Sequence, residues 1–265
     1  MYAFDYCKAT SLEDAKVKLA AKAGGKLLAG GMTLIPTLKL RLAAPSHVVD
    51  IGGIAALNGI DSSAKAVTVR AMTKHAAVAA STEVRAAIPA LGELAEGIGD
   101  PQVRNRGTIG GSLANNDPAA DYPAACLALG AVTVTDRREI AADDFFKGLF
   151  QTALEENEII VAVRFPRPER AAYLKFRNPA SRYAIVGVFV ARGADGVRVA
   201  VTGAGAKGVF RVPAMERALS ANFSPAALDG MSMPADGLLA DIHASAEYRA
   251  HLIGVLARRA AAACA

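Results

Sequence analysis

Two glycine-rich stretches, far apart in the sequence, carry the residue types best suited to binding chemistry. The first is residues 28–34 (LAGGMTL) and the second is residues 107–115 (GTIGGSLAN). Each joins a Gly-Gly pair to a hydroxyl residue at or near a predicted helix start. Glycine lets main-chain N–H groups approach an anion, a helix N-terminus adds a favourable dipole, and the hydroxyl adds a neutral donor. One such loop is equally typical of a tight turn, whereas the pair together favours a clamp for the two phosphates of a dinucleotide.

Other sequence patterns that carry chemistry fit this chain less well. Residues 203–208 (GAGAKG) follow a predicted strand and match a dinucleotide-binding GxGxxG, but Pro213 interrupts the helix that this motif should open. We interpret these glycines as a strand-to-helix turn. The sequence contains no Walker loop, no GxSxG elbow and no HExxH motif, and its histidines form no ligand group. We therefore predict no catalytic residue and no metal ligand in this chain.

The first glycine loop is predicted to lie between a strand and a helix. Ser11 begins a capped helix with apolar residues at helical spacing, and Gly24 ends it. Residues 26–29 form a short strand that leads into the loop. Thr33 then caps a second helix, which extends through Leu42. This order of strand, glycine turn and helix is the arrangement that an anion-binding loop requires.

Further elements follow from apolar periodicity and turn residues. A helix opened by Thr73 extends to Ala80, and a long ordered loop, typical of a functional segment, extends from Gly92 to Ala120. Strands are predicted at residues 47–51, 67–70, 132–135, 159–163, 183–191 and 197–202, the last two forming a hairpin, and helices at 213–219 and 246–263.

The order of these elements indicates an α+β fold in two parts. Helices and strands occur in both halves, without the regular alternation of a doubly wound sheet. Residues 165–168 (FPRP) break the pattern sharply. We place a domain boundary there, between residues 1–166 and 167–265.

Composition narrows the class of protein further. Lys and Arg number 30 against 25 Asp and Glu, but they are scattered among acids, which argues against nucleic-acid binding. No apolar run approaches the length of a membrane span, and the acidic start of the chain does not resemble a signal peptide. The three cysteines lie far apart, at no metal-ligand or disulfide spacing. We expect a cytoplasmic protein with reduced thiols.

The two loops and their surroundings resemble a known family. Residues 29–51 (AGGMTLIPTLKLRLAAPSHVVDI) and 99–124 (GDPQVRNRGTIGGSLANNDPAADYPA) resemble the FAD-binding medium subunit of molybdenum hydroxylases, the xanthine dehydrogenase family. The likeness is greatest to the medium subunit of aerobic carbon monoxide dehydrogenase, and it extends more weakly over nearly the whole chain. It implies a two-part FAD-binding domain of the vanillyl-alcohol-oxidase (PCMH) type, with subdomains at about 1–52 and 53–166, followed by a small α+β C-terminal domain.

The resemblance also implies which residues contact FAD. The pyrophosphate would lie between the two loops, with further polar contacts just after the second. The residues that this implies are Leu28, Ala29, Gly30, Gly31, Met32, Thr33 and Leu34 in the first loop, and Thr108, Ile109, Gly110, Gly111, Ser112 and Asn115 in and after the second.

Further residues are matched along the length of the cofactor. Asp121 matches an aspartate near the adenosine end of FAD, where a carboxylate can accept hydrogen bonds from ribose hydroxyls. Ile98 matches a residue that packs against the flavin, and Ile160 is another implied cofactor contact. Lys175 matches a lysine near the isoalloxazine, where a fixed positive charge favours the anionic reduced flavin. Tyr183 matches a position near the flavin, although a core tyrosine at a strand start fits the sequence equally well.

The function implied is that of an FAD-binding electron-transfer subunit. It would take electrons from the [2Fe-2S] clusters of a small partner subunit and pass them to an external acceptor: a quinone, a carrier protein, NAD or oxygen. A large subunit would carry the molybdenum cofactor, in a dimer of heterotrimers. Three scattered cysteines cannot supply the four thiolates of one cluster. The alternatives are a self-contained FAD-dependent reductase or oxidase of the same fold and a scaffold that has lost FAD, which the intact glycines disfavour.

Overall fold

A computed structural model describes residues 1–264. Its first unit is a three-stranded parallel sheet with strand order β1-β3-β2 and two helices. The Ser11 hydroxyl accepts a hydrogen bond from Asp14 N (3.1 Å) and so caps the first helix as predicted. The elements are β1 (Asp5–Lys8), α1 (Leu12–Ala20), β2 (Lys26–Leu28), α2 (Leu34–Lys39) and β3 (His47–Asp50).

The second unit is a five-stranded antiparallel sheet with strand order β4-β5-β10-β6-β7, packed against a group of short helices. A small hairpin, β8-β9, lies beside it. The elements are β4 (Ile60–Ser62), β5 (Ala66–Arg70), α3 (His75–Ala80), α4 (Thr82–Ala87), α5 (Pro89–Glu96), α6 (Pro101–Arg104), α7 (Ile109–Asn115), α8 (Tyr122–Leu129), β6 (Val132–Thr135), β7 (Glu139–Ala141), α9 (Ala142–Phe145), β8 (Phe146–Gly148), β9 (Gln151–Thr152) and β10 (Ile160–Pro166).

The third unit is a four-stranded antiparallel sheet in sequential order, with two helices. One face of the sheet packs on the long C-terminal helix, through residues such as Val188 and Ile253. The other face, which includes Tyr173 and Phe189, belongs to the same apolar core as the second unit. The elements are β11 (Arg170–Arg177), β12 (Ala184–Gly193), β13 (Gly196–Thr202), β14 (Phe210–Arg211), α10 (Pro213–Ala221) and α11 (Ala246–Ala263).

This mixture of sheets and helices confirms the α+β class, while some predicted helix starts are wrong. Thr33 has helical backbone angles and makes no capping hydrogen bond, and α2 ends at Lys39 rather than Leu42. Thr73 lies outside α3, because its hydroxyl donates to the carbonyl of Gly59 (2.8 Å) instead. The hydroxyl of a threonine next to a helix can bond to several nearby main-chain groups. The position of the threonine in the sequence does not determine which of these bonds forms.

The predicted loop from Gly92 to Ala120 is also wrong, because the segment consists mostly of short helices. Asp100 accepts from Val103 N (2.8 Å) at the start of α6, and Thr108 accepts from Gly111 N (3.2 Å) at the start of α7. These side-chain caps stabilise helices too short to show a clear apolar period. Likewise, residues 203–208 lead into the short strand β14, and not directly into a helix.

The predicted break after Pro166 coincides with the end of β10, and β11 begins at Arg170. Because the third unit shares an apolar core with the second, a division into independent domains at this point stays a prediction. Among residues 1–264, no helix combines the length and the apolar character that crossing a membrane requires.

Candidate functional site

Both glycine loops line one cleft of about 810 Å³. Although they are far apart in sequence, the loops touch. A Cβ built on Gly111 would lie 3.7 Å from the Cβ of Ala29, and one built on Gly30 would overlap the carbonyl oxygen of Arg106. A side chain at Gly30 therefore has no room, and the small residues of each loop let the other approach closely.

The first loop presents unpaired main-chain donors to this cleft. It connects β2 to α2, and Gly31 has a φ of +76°, a conformation that side chains other than glycine's rarely adopt. The N–H groups of residues 30–33 donate no hydrogen bond to any residue in the described part of the chain. The same holds for the hydroxyl of Thr33, which lines the cleft. A run of free N–H groups of this kind is a binding site for an anion.

The second loop differs, because its helix-start N–H groups are already engaged. Ile109 N donates to Thr73 O (3.2 Å), Gly110 N to Ala71 O (2.9 Å), and Gly111 N to the Thr108 hydroxyl. These bonds fix α7 against the end of β5. The expectation that both loops offer free main-chain donors therefore holds for residues 30–33 of the first loop. In the second loop it holds for Thr108, whose N–H donates no hydrogen bond within residues 1–264, and not for residues 109–111.

The second loop contributes polar side chains to the cleft. The hydroxyl of Ser112 and the amide of Asn115 line the cleft, and neither bonds to another residue among 1–264. Both lie on α7, on the cleft side of its first and last turns. A hydroxyl and an amide supply neutral donors and acceptors for a polar ligand.

At one end of the cleft, Asp121 forms a buried polar cluster with two residues of β11. Its carboxylate, 4% exposed, accepts from Tyr173 (2.5 Å) and from the Lys175 ammonium (2.9 Å), which also donates to Gly97 O (2.8 Å). Burial raises the pKa of Asp121, and the nearby Lys175 charge acts in the opposite direction. Lys175 therefore orients Asp121 and does not itself reach the cleft wall.

Tyr183 lies on the cleft wall close to this cluster. Its side chain is 47% exposed, and β12 begins only at the next residue. Burial and the charges of Asp117 and Asp121 raise the pKa of its hydroxyl. The alternative interpretation of Tyr183 as a core tyrosine is wrong.

Most of the residues that the sequence predicts to contact FAD line this cleft. Leu28, Ile109 and Lys175 do not line it: Leu28 ends β2, Ile109 is fully buried and Lys175 is held by Asp121. For all of these residues, direct contact with a cofactor stays a prediction. On the wall lie Ala29, Gly30, Gly31, Met32, Thr33, Leu34, Ile98, Thr108, Gly110, Gly111, Ser112, Asn115, Asp121, Ile160 and Tyr183.

Sequence reasoning missed other parts of the wall. His75 and Met72 reach it from the segment after β5, residues 154–159 form part of one side, and Arg182 contributes at the end near Tyr183. None of these carries a motif, and they meet only because the three units fold around the cleft. No group of His, Cys, Asp and Glu suited to a metal ion occurs within residues 1–264.

Comparison with known proteins identifies the kind of protein that has this cleft. Residues 2–168 match the protein family described as the FAD binding domain in molybdopterin dehydrogenase. The matched range includes both glycine loops and Asp121. The chain belongs to this family.

Relatives of this FAD-binding chain match it over almost their full lengths. It is 35% identical to the carbon monoxide dehydrogenase medium chain of Hydrogenophaga pseudoflava and 37% identical to the nicotine 6-hydroxylase medium subunit of Paenarthrobacter nicotinovorans, each over 97% of this chain and 95% of the relative. A chain of reconstituted CO dehydrogenase from Oligotropha carboxidovorans superposes with a TM-score of 0.91 at 32% identity, covering 99% of this chain and 98% of that one. A chain of quinoline 2-oxidoreductase from Pseudomonas putida 86 gives 0.89 at 28%, covering 99% and 97%.

Membership of the family confirms the expected fold and cofactor. The fold is that of the PCMH-type FAD-binding domain, the cofactor is FAD, and the chain is the flavin subunit of a multi-subunit oxidoreductase of the molybdenum hydroxylase type. The residues present fit this cofactor. The unpaired N–H groups of residues 30–33 suit its pyrophosphate, and the adjoining cleft of about 810 Å³ provides space for a ligand.

Proposed function

We propose that this chain is the electron-transfer subunit of a molybdenum hydroxylase. It takes electrons from the [2Fe-2S] clusters of a small partner subunit and passes them to an external acceptor, while a large subunit holds the molybdenum cofactor and oxidises the substrate. The assembly is a dimer of heterotrimers. The observation that carries this proposal is the cleft of unpaired donors at the first glycine loop, in a chain whose relatives are named medium chain or medium subunit.

The cysteines support the need for a partner. Cys7 lies in the first unit, Cys126 in α8 and Cys264 after α11, and all three are free thiols. Burial raises the pKa of Cys264 to about 11, and the Cys126 thiol is shifted upward more strongly for the same reason. A cluster needs four thiolates close together, so the iron-sulfur centres must come from another chain. Free thiols also favour the cytoplasm as the compartment.

Different residues of the cleft would bind different parts of the cofactor. The N–H groups of residues 30–33 would hold the pyrophosphate, with Ser112 and Asn115 as neutral partners. Asp121 would accept from a hydroxyl of the cofactor, while Ile98 and Tyr183 would pack at the flavin end. FAD, when bound, supplies redox chemistry that links two-electron and one-electron steps. The protein fixes its position and its exposure to the acceptor.

The partner subunit with the molybdenum cofactor, and not this chain, would select the substrate. The relatives matched at 35% and 37% identity are named for carbon monoxide and for nicotine. Nearly equal likeness to both is expected if the partner with the molybdenum cofactor selects the substrate.

The test is purification from the native host through a tag on this chain. We expect FAD, molybdenum and about four iron atoms per flavin, because two [2Fe-2S] clusters contain that number. Released flavin is identified by chromatography and the metals by mass spectrometry. FAD without iron or molybdenum would contradict the proposal and favour a self-contained flavin enzyme. A chain that neither retains nor rebinds FAD would contradict the placement of the cofactor itself.

A further inference from the structure

The imidazole of His75 is a buried polar group without a hydrogen-bond partner. The side chain is 5% exposed, its Nδ1 is fully enclosed, and neither ring nitrogen bonds to another residue within 1–264. Almost all buried polar groups in proteins are hydrogen-bonded, because an unsatisfied one destabilises the fold. His75 lines the cleft and its Nε2, unlike Nδ1, is not fully enclosed, so an occupant of the cleft can supply a partner to Nε2.

His75 lies where the two glycine loops meet. It is the first residue of α3, and its main-chain N–H donates to Gly107 O (3.0 Å). A Cβ built on Gly107 would lie 2.6 Å from Nε2, so this edge of the ring packs directly on the second loop. On its other side, Gly107 is close to the first loop, since a Cβ built on Gly30 would lie 2.8 Å from its Cα. The Nε2 edge therefore adjoins the junction of both loops.

The first main-chain donors of α7 are occupied at this junction. The N–H groups of Ile109, Gly110 and Gly111 are all engaged within the protein, so they are not free for a phosphate. Burial, together with the charge of Arg104, lowers the pKa of His75 to about 4. Near neutral pH the ring is therefore uncharged and carries one N–H and one acceptor nitrogen. With the proton on Nε2, that N–H lies beside the junction of the two loops.

We propose that His75 is a cofactor-binding residue whose Nε2–H donates a hydrogen bond to a pyrophosphate oxygen of FAD. The inference rests on the proposed placement of FAD in the cleft. It adds a side-chain donor beside the engaged N–H groups of residues 109–111, and it gives Nε2 a partner that no residue within 1–264 supplies. It also accounts for Gly107, since any side chain there would displace the ring.

Two variants separate hydrogen bonding from packing. His75→Phe keeps an aromatic ring against Tyr122, whose ring centroid lies 5.4 Å from that of His75, but removes the donor. His75→Gln removes the ring but keeps an N–H donor. We expect His75→Phe to weaken FAD binding about 10- to 100-fold, the range for a hydrogen bond to a charged group. His75→Gln should bind within about threefold of the wild type, since a neutral donor remains.

Binding is measured by adding FAD to the flavin-free chain and following flavin fluorescence. Equal affinities for all three proteins, or weaker binding by His75→Gln than by His75→Phe, would overturn the inference. Thermal denaturation of the flavin-free proteins checks folding, and His75→Leu replaces His75→Phe if the larger ring prevents it. If the wild type itself fails to bind FAD, the proposed function fails, whereas unchanged binding by the apolar variants removes only the role of His75.

Discussion

At the scale of single residues, Lys175 shows that a charge near a cofactor site can act through another side chain. Its side chain is 8% exposed, and its ammonium lies 2.9 Å from a carboxylate oxygen of Asp121, which also accepts from Tyr173. A carboxylate that is fully enclosed needs such partners, because burial alone favours its protonated form. Lys175 and Tyr173 thus oppose the effect of burial on the pKa of Asp121 and fix its carboxyl group at the cleft wall, where it can bond to a hydroxyl of a ligand.

Replacing Lys175 should destabilise the fold more than replacing a lysine or arginine of a surface pair. In Lys175→Met the buried Asp121 loses its counter-charge, and we expect a loss of about 3 kcal/mol in the free energy of unfolding near neutral pH. The pKa of Asp121 would rise further above its unfolded value. Stability from a raised carboxyl pKa is present at low pH and lost as the pH rises, so the loss should be smaller at about pH 5 than at about pH 8.

Urea denaturation at both pH values measures this loss. Arg164→Met is the matched control, since Arg164 pairs with Glu139 in a solvent-exposed bridge and should cost less than about 1 kcal/mol. Equal losses in the two variants, or a loss in Lys175→Met that grows as the pH falls, would show that the Lys175–Asp121 pair does not act as described.

At the scale of elements, the start of α7 is where two distant loops pack together. Gly111 lies within α7 and has no positive φ, so the backbone allows alanine, whose helix propensity is higher by roughly 0.5–1 kcal/mol. The added methyl would lie 3.0 Å from the Thr108 hydroxyl and 3.7 Å from the Cβ of Ala29. It would therefore enter the space between the loops, where the pyrophosphate is proposed to lie.

We expect Gly111→Ala to lose FAD affinity at least about tenfold with little change in thermal stability, because the methyl blocks the ligand while the gain in helix propensity offsets its tight contact with the Thr108 hydroxyl. Flavin fluorescence titration and thermal denaturation of the flavin-free protein measure the two effects. Gly254→Ala is the control: it is also a helical glycine, in α11, and its nearest neighbour is a carbonyl 3.7 Å away. Unchanged FAD binding in Gly111→Ala would remove the second loop from the phosphate site.

The same elements show how far the sequence determines the site. The capped helix after Ser11, the β12-β13 hairpin and the bounds of α11 follow from local chemistry, and they agree with the structure. The segment from Gly92 to Ala120 does not, because side-chain caps and tertiary packing stabilise its short helices. The glycine pairs predict an anion site, but which N–H groups are free depends on partners such as Ala71 and Thr73. The unpaired state of His75 likewise follows only from its burial in the fold.

At the scale of the whole molecule, the third unit belongs structurally to the second. Every residue of α8 is buried, as expected for a helix that is apolar on all sides. It packs against β12 and β13, and Phe189 of β12 lies in the same core as Leu91 of the second unit. The cleft depends on this packing as well, because Asp121, at the start of α8, is held by Tyr173 and Lys175 of β11.

A fragment of residues 1–168 should therefore fail to fold as a stable unit, although it contains both glycine loops. Removing the third unit exposes one apolar side of α8 to water, which destabilises the fragment. It also leaves the Asp121 carboxyl group without the side chains that pair with it in the full chain. We expect a broad thermal transition, binding of a hydrophobic dye and no retention of FAD, compared with a cooperative transition in the full chain. A fragment that unfolds cooperatively and binds FAD as the full chain does would instead support an independent domain ending near Pro166.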